Sequence, residues 1–192
     1  MEGGRWKAGG GNPQHLPGCS CIGEERRHSK QTMFLNKLIR LAIVSGGVLV
    51  LDQITKALVL GGLPLGQSVA VIPGFFDITH VHNPGGAFGF LADMSPQVRA
   101  WLFIAVSLLA AGLIVCFYWQ TPPSQRLLQF GLALVFGGAI GNLVDRIRFG
   151  VVVDFIDVYL GDLHWPAFNV ADSAITIGVF IFAFHLLKRN PA

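Results

Sequence analysis

Four apolar runs divide the chain, at about residues 34–60, 98–119, 126–144 and 168–187. Each is close to the roughly 20 residues that carry a helix across a bilayer, so the pattern predicts four transmembrane helices. The polar residues inside these runs fall on single helical faces. Ser45, Asp52 and Lys56 recur at helical spacing in the first. The third ends on Asn142, Asp145 and Arg146, and the fourth opens with Asn169, Asp172, Ser173 and Thr176, again one face each. Ionisable groups are expensive at the edge of hydrocarbon, so these stripes are expected to face the protein interior. A local Asp52–Lys56 ion pair with a snorkelling lysine is compatible with that, and Asp145–Arg146 reads as an interfacial charge cluster. The second run is almost bare of polar side chains and reads as a lipid-facing helix, with Trp101, Tyr118 and Trp119 suited to the two interfaces. Gly131, Gly137, Gly138 and Gly141 make the third span small enough for close helix approach.

The intervening segments differ in character. Residues 61–97 are β-branched and aromatic, with breaks at Pro73-Gly74 and Pro84-Gly85-Gly86, and read as short strands or a hairpin. Open sheet edges are not tolerated in lipid, so this piece belongs in the headgroup zone, anchored by Phe75, Phe76, Phe88 and Phe90. Asn83 is either a turn residue or a donor aimed at a substrate backbone; local chemistry leaves both open. A short polar loop carrying Asp154 joins the third and fourth spans. Residues 1–32 are rich in Gly, Pro and charge, have no apolar periodicity, and are expected to be a disordered extension of a single membrane domain at 33–192.

Composition sharpens this picture. Of 192 residues, 52% are hydrophobic and only 13% charged, with a mean hydropathy of +0.56; soluble domains carry about 25% charged residues. The chain is therefore read as a polytopic membrane protein. Lys37, Arg40, Arg126, Lys188 and Arg189 fall on one side of four alternating helices, whereas 61–97 has no Lys or Arg. The positive-inside rule then puts both termini in the cytoplasm. Arg146 and Arg148 oppose the rule; a role in a site would account for Arg146. No basic, aromatic-interleaved patch of the nucleic-acid type is present. Cys116 sits in an apolar run as a packing residue, and Cys19 and Cys21 lack the partners a zinc site needs. No metal or cofactor is expected.

LDQITK at 51–56, HNPGGAFGFL at 82–91, GGAIGNLVDRIRFGVVVDFID at 137–157 and FNVADSAI at 168–175 resemble the signature blocks of lipoprotein signal peptidase, or signal peptidase II. The match covers 33–187. The resemblance implies a mainly α bacterial membrane protein, with four transmembrane helices and a small extracytoplasmic β-cradle. It also implies an aspartic endopeptidase that cuts prolipoproteins immediately before a diacylglyceryl-modified cysteine. The implied catalytic residues are Asp154 and Asp172, supported by Asp52, Lys56, Asn83, Gly86, Asn142, Arg146, Asn169 and Ala171. The implied partners are diacylglyceryl-modified prolipoproteins and membrane lipids, and the implied site is the outer boundary of the bacterial inner membrane, in a monomer. His82 stands where the family usually has arginine, which suggests a weaker, pH-dependent contact with the cradle or with lipid phosphate.

Two carboxylates within hydrogen-bond reach in a poorly hydrated site cannot easily both ionise, so the pair is expected to hold one proton. Its ionised member takes a proton from attacking water, and its protonated member serves the oxyanion and the leaving amine. Grooves between helices are expected to take the acyl chains, and the signal helix to lie on the glycine-rich third span. Ser173 with His164 as base is the serine alternative, but no spacing pairs them. A transporter or channel predicts polar residues through the whole membrane depth, whereas here they gather at one end. A purely structural assembly protein leaves the clustered charges without a purpose.

Overall fold

A computed structural model of the chain describes residues 19–85 and 94–189. The chain falls into two units, 1–36 and 37–192. The described part of the first is the opening of helix α1 (Cys19–Gly62). Helical backbone thus begins upstream of the apolar run at 34, since extending an existing helix costs far less than starting one. The sheet and the three later helices belong to the second unit. Among the described residues, four helices are long and apolar enough to cross a membrane: residues Gln31–Gly62 of α1, α2 (Pro96–Gln120), α3 (Arg126–Phe149) and residues Val170–Lys188 of α4 (Val170–Arg189). The fold is a mainly helical membrane protein carrying a small four-stranded antiparallel sheet.

The helix ends follow from local chemistry. Ser95 Oγ accepts from the Val98 N–H and Pro96 opens α2. At its far end, Lys37 Nζ donates to the Trp119 and Thr121 carbonyls at 3.0 and 2.8 Å, placing a cation on the negative end of the helix dipole. Tyr118 lies inside this junction, fully buried, and its hydroxyl donates to the Lys37 carbonyl at 2.7 Å. The expectation of an interfacial Tyr118 is therefore corrected: its ring completes a core with Leu41, Leu128 and Leu132. α3 stops at Gly150, whose φ of 74° is readily reached only without a Cβ.

The glycines of α3 set the helix spacing. A Cβ at Gly137 would stand 2.8 Å from the Ser45 backbone, and one at Gly141 2.7 Å from Asp52 Oδ2. At Gly138 it would strike the Ala171 carbonyl, and at Gly131 it would stand 2.8 Å from the Ile181 side chain. These faces are thus covered by α1 and α4 of the same chain, which corrects the expectation that a signal helix docks there. Gly138→Ala has to push the start of α4 away from α3. We expect it to cost about 1–3 kcal/mol and to displace Asp172. A wild-type thermal melt would contradict the tight packing.

The sheet runs in the order β1 (Ser68–Ile72), β2 (Phe76–Asn83), β3 (Val152–Leu160), β4 (Leu163–His164). The expected hairpin is β1–β2, turning through Pro73-Gly74, with the Phe75 N–H donating to the Ile72 carbonyl at 3.0 Å. The segment expected to be a polar loop is instead largely β3. It pairs Asp154 with Val81 and Val152 with Asn83, so α3 feeds directly into the sheet. Phe168, just before α4, pairs with Ile156. That bridge brings the start of α4 alongside Asp154.

Candidate active site

Three buried charges form the base of the site. Lys56 Nζ lies 2.9 Å from Asp52 Oδ2 and 2.8 Å from Asp145 Oδ2, and donates to Asn142 Oδ1 at 3.0 Å. All four side chains are at least nine-tenths buried. The same carboxylates hold backbone: Asp52 Oδ1 accepts from the Ala171 N–H at 2.9 Å, and Asp145 Oδ2, which also meets Lys56, accepts from the Val153 N–H at 3.1 Å. One block therefore fixes α1, α3, the first turn of α4 and the first residues of β3. A buried ion cluster is tolerated where such hydrogen bonds complete it.

Asn169 and Asp172 form a reciprocal cap at the start of α4. Asn169 Oδ1 accepts from the Asp172 N–H at 2.9 Å, and Asp172 Oδ2 from the Asn169 N–H at 3.3 Å. The Asn169 amide then reaches across to β3 and donates to Asp154 Oδ1 at 2.7 Å. Asn83 Nδ2 donates to Asp154 Oδ2 at 2.9 Å, while its own Oδ1 accepts from the Gly85 N–H at 2.9 Å. The turn reading of Asn83 is seen in its acceptance of the Gly85 N–H, and its donor serves Asp154. Asn142 Nδ2 donates to Asp172 Oδ1 at 2.7 Å.

Each carboxylate accordingly accepts on both oxygens from neutral donors. Asn169 links the two carboxylates, donating to Asp154 through its side-chain amide and to Asp172 through its backbone N–H. Burial raises the Asp154 pKa from the usual carboxylate value to about 6, and the Asp172 charge adds to the rise. The hydrogen bonds from Asn83 and Asn169 and the Lys56 charge pull it back. Removing the Asp172 charge should therefore lower the Asp154 pKa, and removing the Asn83 donor should raise it. We expect Asp172→Asn and Asn83→Ala to shift it in opposite directions from about 6 in carbon-13 NMR titrations of labelled aspartate. Shifts of the same sign would refute this account of the site's electrostatics.

Asp52, Lys56, Asn83, Asn142, Asp154, Asn169, Ala171 and Asp172 thus share one network. Arg146 stands at its side. The guanidinium lies 5.5 Å from the centre of the Phe103 ring and donates to Ser107 Oγ at 3.4 Å. Gly86, Phe88 and Phe90 lie outside the described residues. The serine alternative fails on geometry: Ser173 Oγ donates to the Asn169 carbonyl at 2.9 Å, while His164 Nδ1 sits 3.0 Å from Asp157 Oδ2. His82 Nε2 lies 3.3 Å from His80 Nε2, whose other ring nitrogen meets the Leu63 carbonyl at 2.7 Å. Burial and the His80 charge hold the His82 pKa below its usual value. That shift favours the neutral ring of His82 at neutral pH.

A model of the family described as signal peptidase (SPase) II matches residues 44–188, most of the chain. The chain belongs to the signal peptidase II family. The lipoprotein signal peptidase of Desulforapulum autotrophicum is 57% identical over 150 residues, covering 78% of this chain and 93% of that one. The protein of the same name from Syntrophus aciditrophicus is 50% identical over 153 residues, covering 80% and 95%. A bacterial membrane enzyme solved by the in meso method at 1.9 Å resolution is 32% identical, with a TM-score of 0.69 over 78% of this chain and 94% of that one.

In this member of the family, sequence reasoning undervalues three residues of the network. Asp145, expected in an interfacial charge cluster, is buried against Lys56. Gln53 Nε2 donates to Asp145 Oδ1 at 2.9 Å and lies 3.2 Å from Asp52 Oδ2. Arg148, unexplained by the charge rule, donates to Gln53 Oε1 at 3.4 Å. The available signal is shared helical phase: Gln53 lies between Asp52 and Lys56, and Asp145 lies one turn beyond Asn142 and Gly141.

Proposed function

We propose that the chain is an aspartic endopeptidase that removes signal peptides from bacterial prolipoproteins, with Asp154 and Asp172 as its catalytic pair. The observation that carries the reading is two carboxylates from separate elements, each held by asparagine amides at the membrane edge, in a member of the signal peptidase II family. Asp52, Lys56, Asn142 and Asn169 position the pair, and the Ala171 amide anchors its helix. A water held between the carboxylates loses a proton to the ionised one as its oxygen attacks the scissile carbonyl. The protonated carboxyl hydrogen-bonds the developing oxyanion and then supplies the proton to the departing amine. The titration belongs to the pair rather than to either residue.

Beside Asp172 lies a cavity of about 480 Å³, walled by Trp165, Phe168, Ser173, Thr176 and Ile177. Its mostly apolar wall suits the hydrocarbon of a substrate whose cysteine carries a diacylglyceryl group. The bond before that cysteine is then held at the level of the carboxylates. The charge distribution supports cytoplasmic termini, with the sheet and the carboxylates at the outer face of the inner membrane.

The test is incubation of the purified protein with a preprolipoprotein in lipidated and unlipidated forms. A shorter product from the lipidated form, with its new N-terminus at the modified cysteine, is expected. Equal cleavage of both forms would remove the lipid from the account, and cleavage of neither would refute the peptidase.

A further inference from the structure

At the end of the bundle remote from the carboxylates is a cavity of about 240 Å³ that the proposed reaction does not use. Arg126 at the first turn of α3 and Arg40 on α1 both line it. Asp145 lies more than five helical turns further along α3 from Arg126, so the cavity and the carboxylates occupy opposite membrane faces. Neither arginine forms a salt bridge among the described residues. Lys37, close by, is already committed to the Trp119 and Thr121 carbonyls.

The start of α3 has no side-chain cap, so its first amides add to the positive field. Gln129 also lines the cavity, with its amide nitrogen turned to the Pro122 carbonyl at 3.1 Å and the Thr121 carbonyl at 3.4 Å. The remaining wall, Val44, Phe130 and Tyr118, is apolar or aromatic, and Phe130 is exposed to the lipid side.

Two cations with no salt-bridge partner among the described residues and a lipid-facing wall define the ligand chemistry. We propose that this cavity binds the headgroup of an anionic glycerophospholipid of the phosphatidylglycerol type. The phosphate sits between Arg40 and Arg126. The acyl chains run over Phe130. Basic pockets between transmembrane helices are suited to such headgroups, and arginine can pair with phosphate in a bidentate fork. The cavity has room for about eight waters at roughly 30 Å³ each, which exceeds a single bridging water. The inference rests on the membrane-spanning helices alone, so failure of the peptidase reading would leave it standing.

The test is a native mass spectrometry titration of the purified, delipidated full chain with three probes: phosphatidylglycerol, phosphatidylethanolamine and glycerol 3-phosphate. Wild type is expected to prefer phosphatidylglycerol and to take up little glycerol 3-phosphate. The Arg40→Gln/Arg126→Gln variant is expected to bind phosphatidylglycerol about thirtyfold more weakly, with phosphatidylethanolamine unchanged. Val44→Phe, which narrows the cavity and keeps both charges, should weaken phosphatidylglycerol as well. A wild-type melting temperature establishes that each variant is folded. Equal wild-type affinity for the two lipids, or undiminished phosphatidylglycerol binding by the double arginine variant, would overturn the proposal. Glycerol 3-phosphate binding as tightly as the lipid would overturn the lipid as ligand.

Discussion

Asp154→Asn and Asp172→Asn are each expected to lower cleavage of a lipidated preprolipoprotein by about 10³-fold or more, because proton transfer at a positioned carboxylate typically contributes 10²–10⁴-fold and each asparagine removes it. The informative control is stability. Asp154 binds its proton more tightly folded than unfolded, since its pKa rises from 3.8 to about 6. Its protonation therefore supports the fold below about pH 4, and that support is lost as pH rises through about 6. Asparagine does not ionise, so Asp154→Asn keeps the support at neutral pH. Against this, one carboxylate oxygen is replaced by an amide nitrogen that faces the donor of either Asn83 Nδ2 or Asn169 Nδ2, which forfeits a hydrogen bond of about 1 kcal/mol. The melting temperature at pH 7 should stay at or above the wild-type value while activity collapses. Activity and melting temperature falling together would make Asp154 a structural residue, and near-normal cleavage by either variant would refute the pair.

The helices are legible in the sequence because each depends on local composition: an apolar run of sufficient length is visible without knowing its neighbours. The hairpin is legible for the same reason, from Pro73-Gly74 and the β-branched residues around it. β3 is not, although VVDFIDVYL is rich in strand formers. Asp154 and Asp157 break the apolar alternation and suggest a loop. They stand in a strand because its neighbours satisfy them, Asp154 through Asn83 and Asn169 and Asp157 through His164. Charge inside a strand is a signal of a site, and in the bare pattern it passes for a signal of exposure.

The supporting residues divide in the same way. Asp52 and Lys56 share a face one turn apart, so their pairing can be read directly. Their third partner, Asp145, is on another helix, and nothing local separates a buried aspartate from an interfacial one. Tyr118 is misplaced for the converse reason: an aromatic residue near a helix end suits an interface, and only the Lys37 carbonyl, supplied by another helix, draws it inside. The glycines of α3 announce close approach correctly but not the partner. Two helices of the same chain fill those faces, so a substrate helix has to use other surfaces, of which the apolar cavity beside Asp172 is one.

Lys56→Met is expected to be the most destabilising single change at this end of the bundle, at about 3–5 kcal/mol. The methionine retains most of the apolar stem but leaves Asp52 Oδ2, Asp145 Oδ2 and Asn142 Oδ1 converging on a point without a donor. Two buried anions then face each other with no cation between them. Lys56→Arg should not restore the fold fully, because three acceptors around one ammonium do not match a planar guanidinium fork. If uncompensated charge is the cause, neutralising one anion should recover part of the loss. Asp52→Asn can keep an oxygen on the Ala171 N–H, so Lys56→Met/Asp52→Asn should melt higher than Lys56→Met alone, and a lower melting temperature for the double variant would show that packing rather than charge governs the block. Catalysis should follow stability only in part. Asp52 holds the Ala171 amide and through it the turn that carries Asp172, so the double variant is expected to regain stability before it regains turnover.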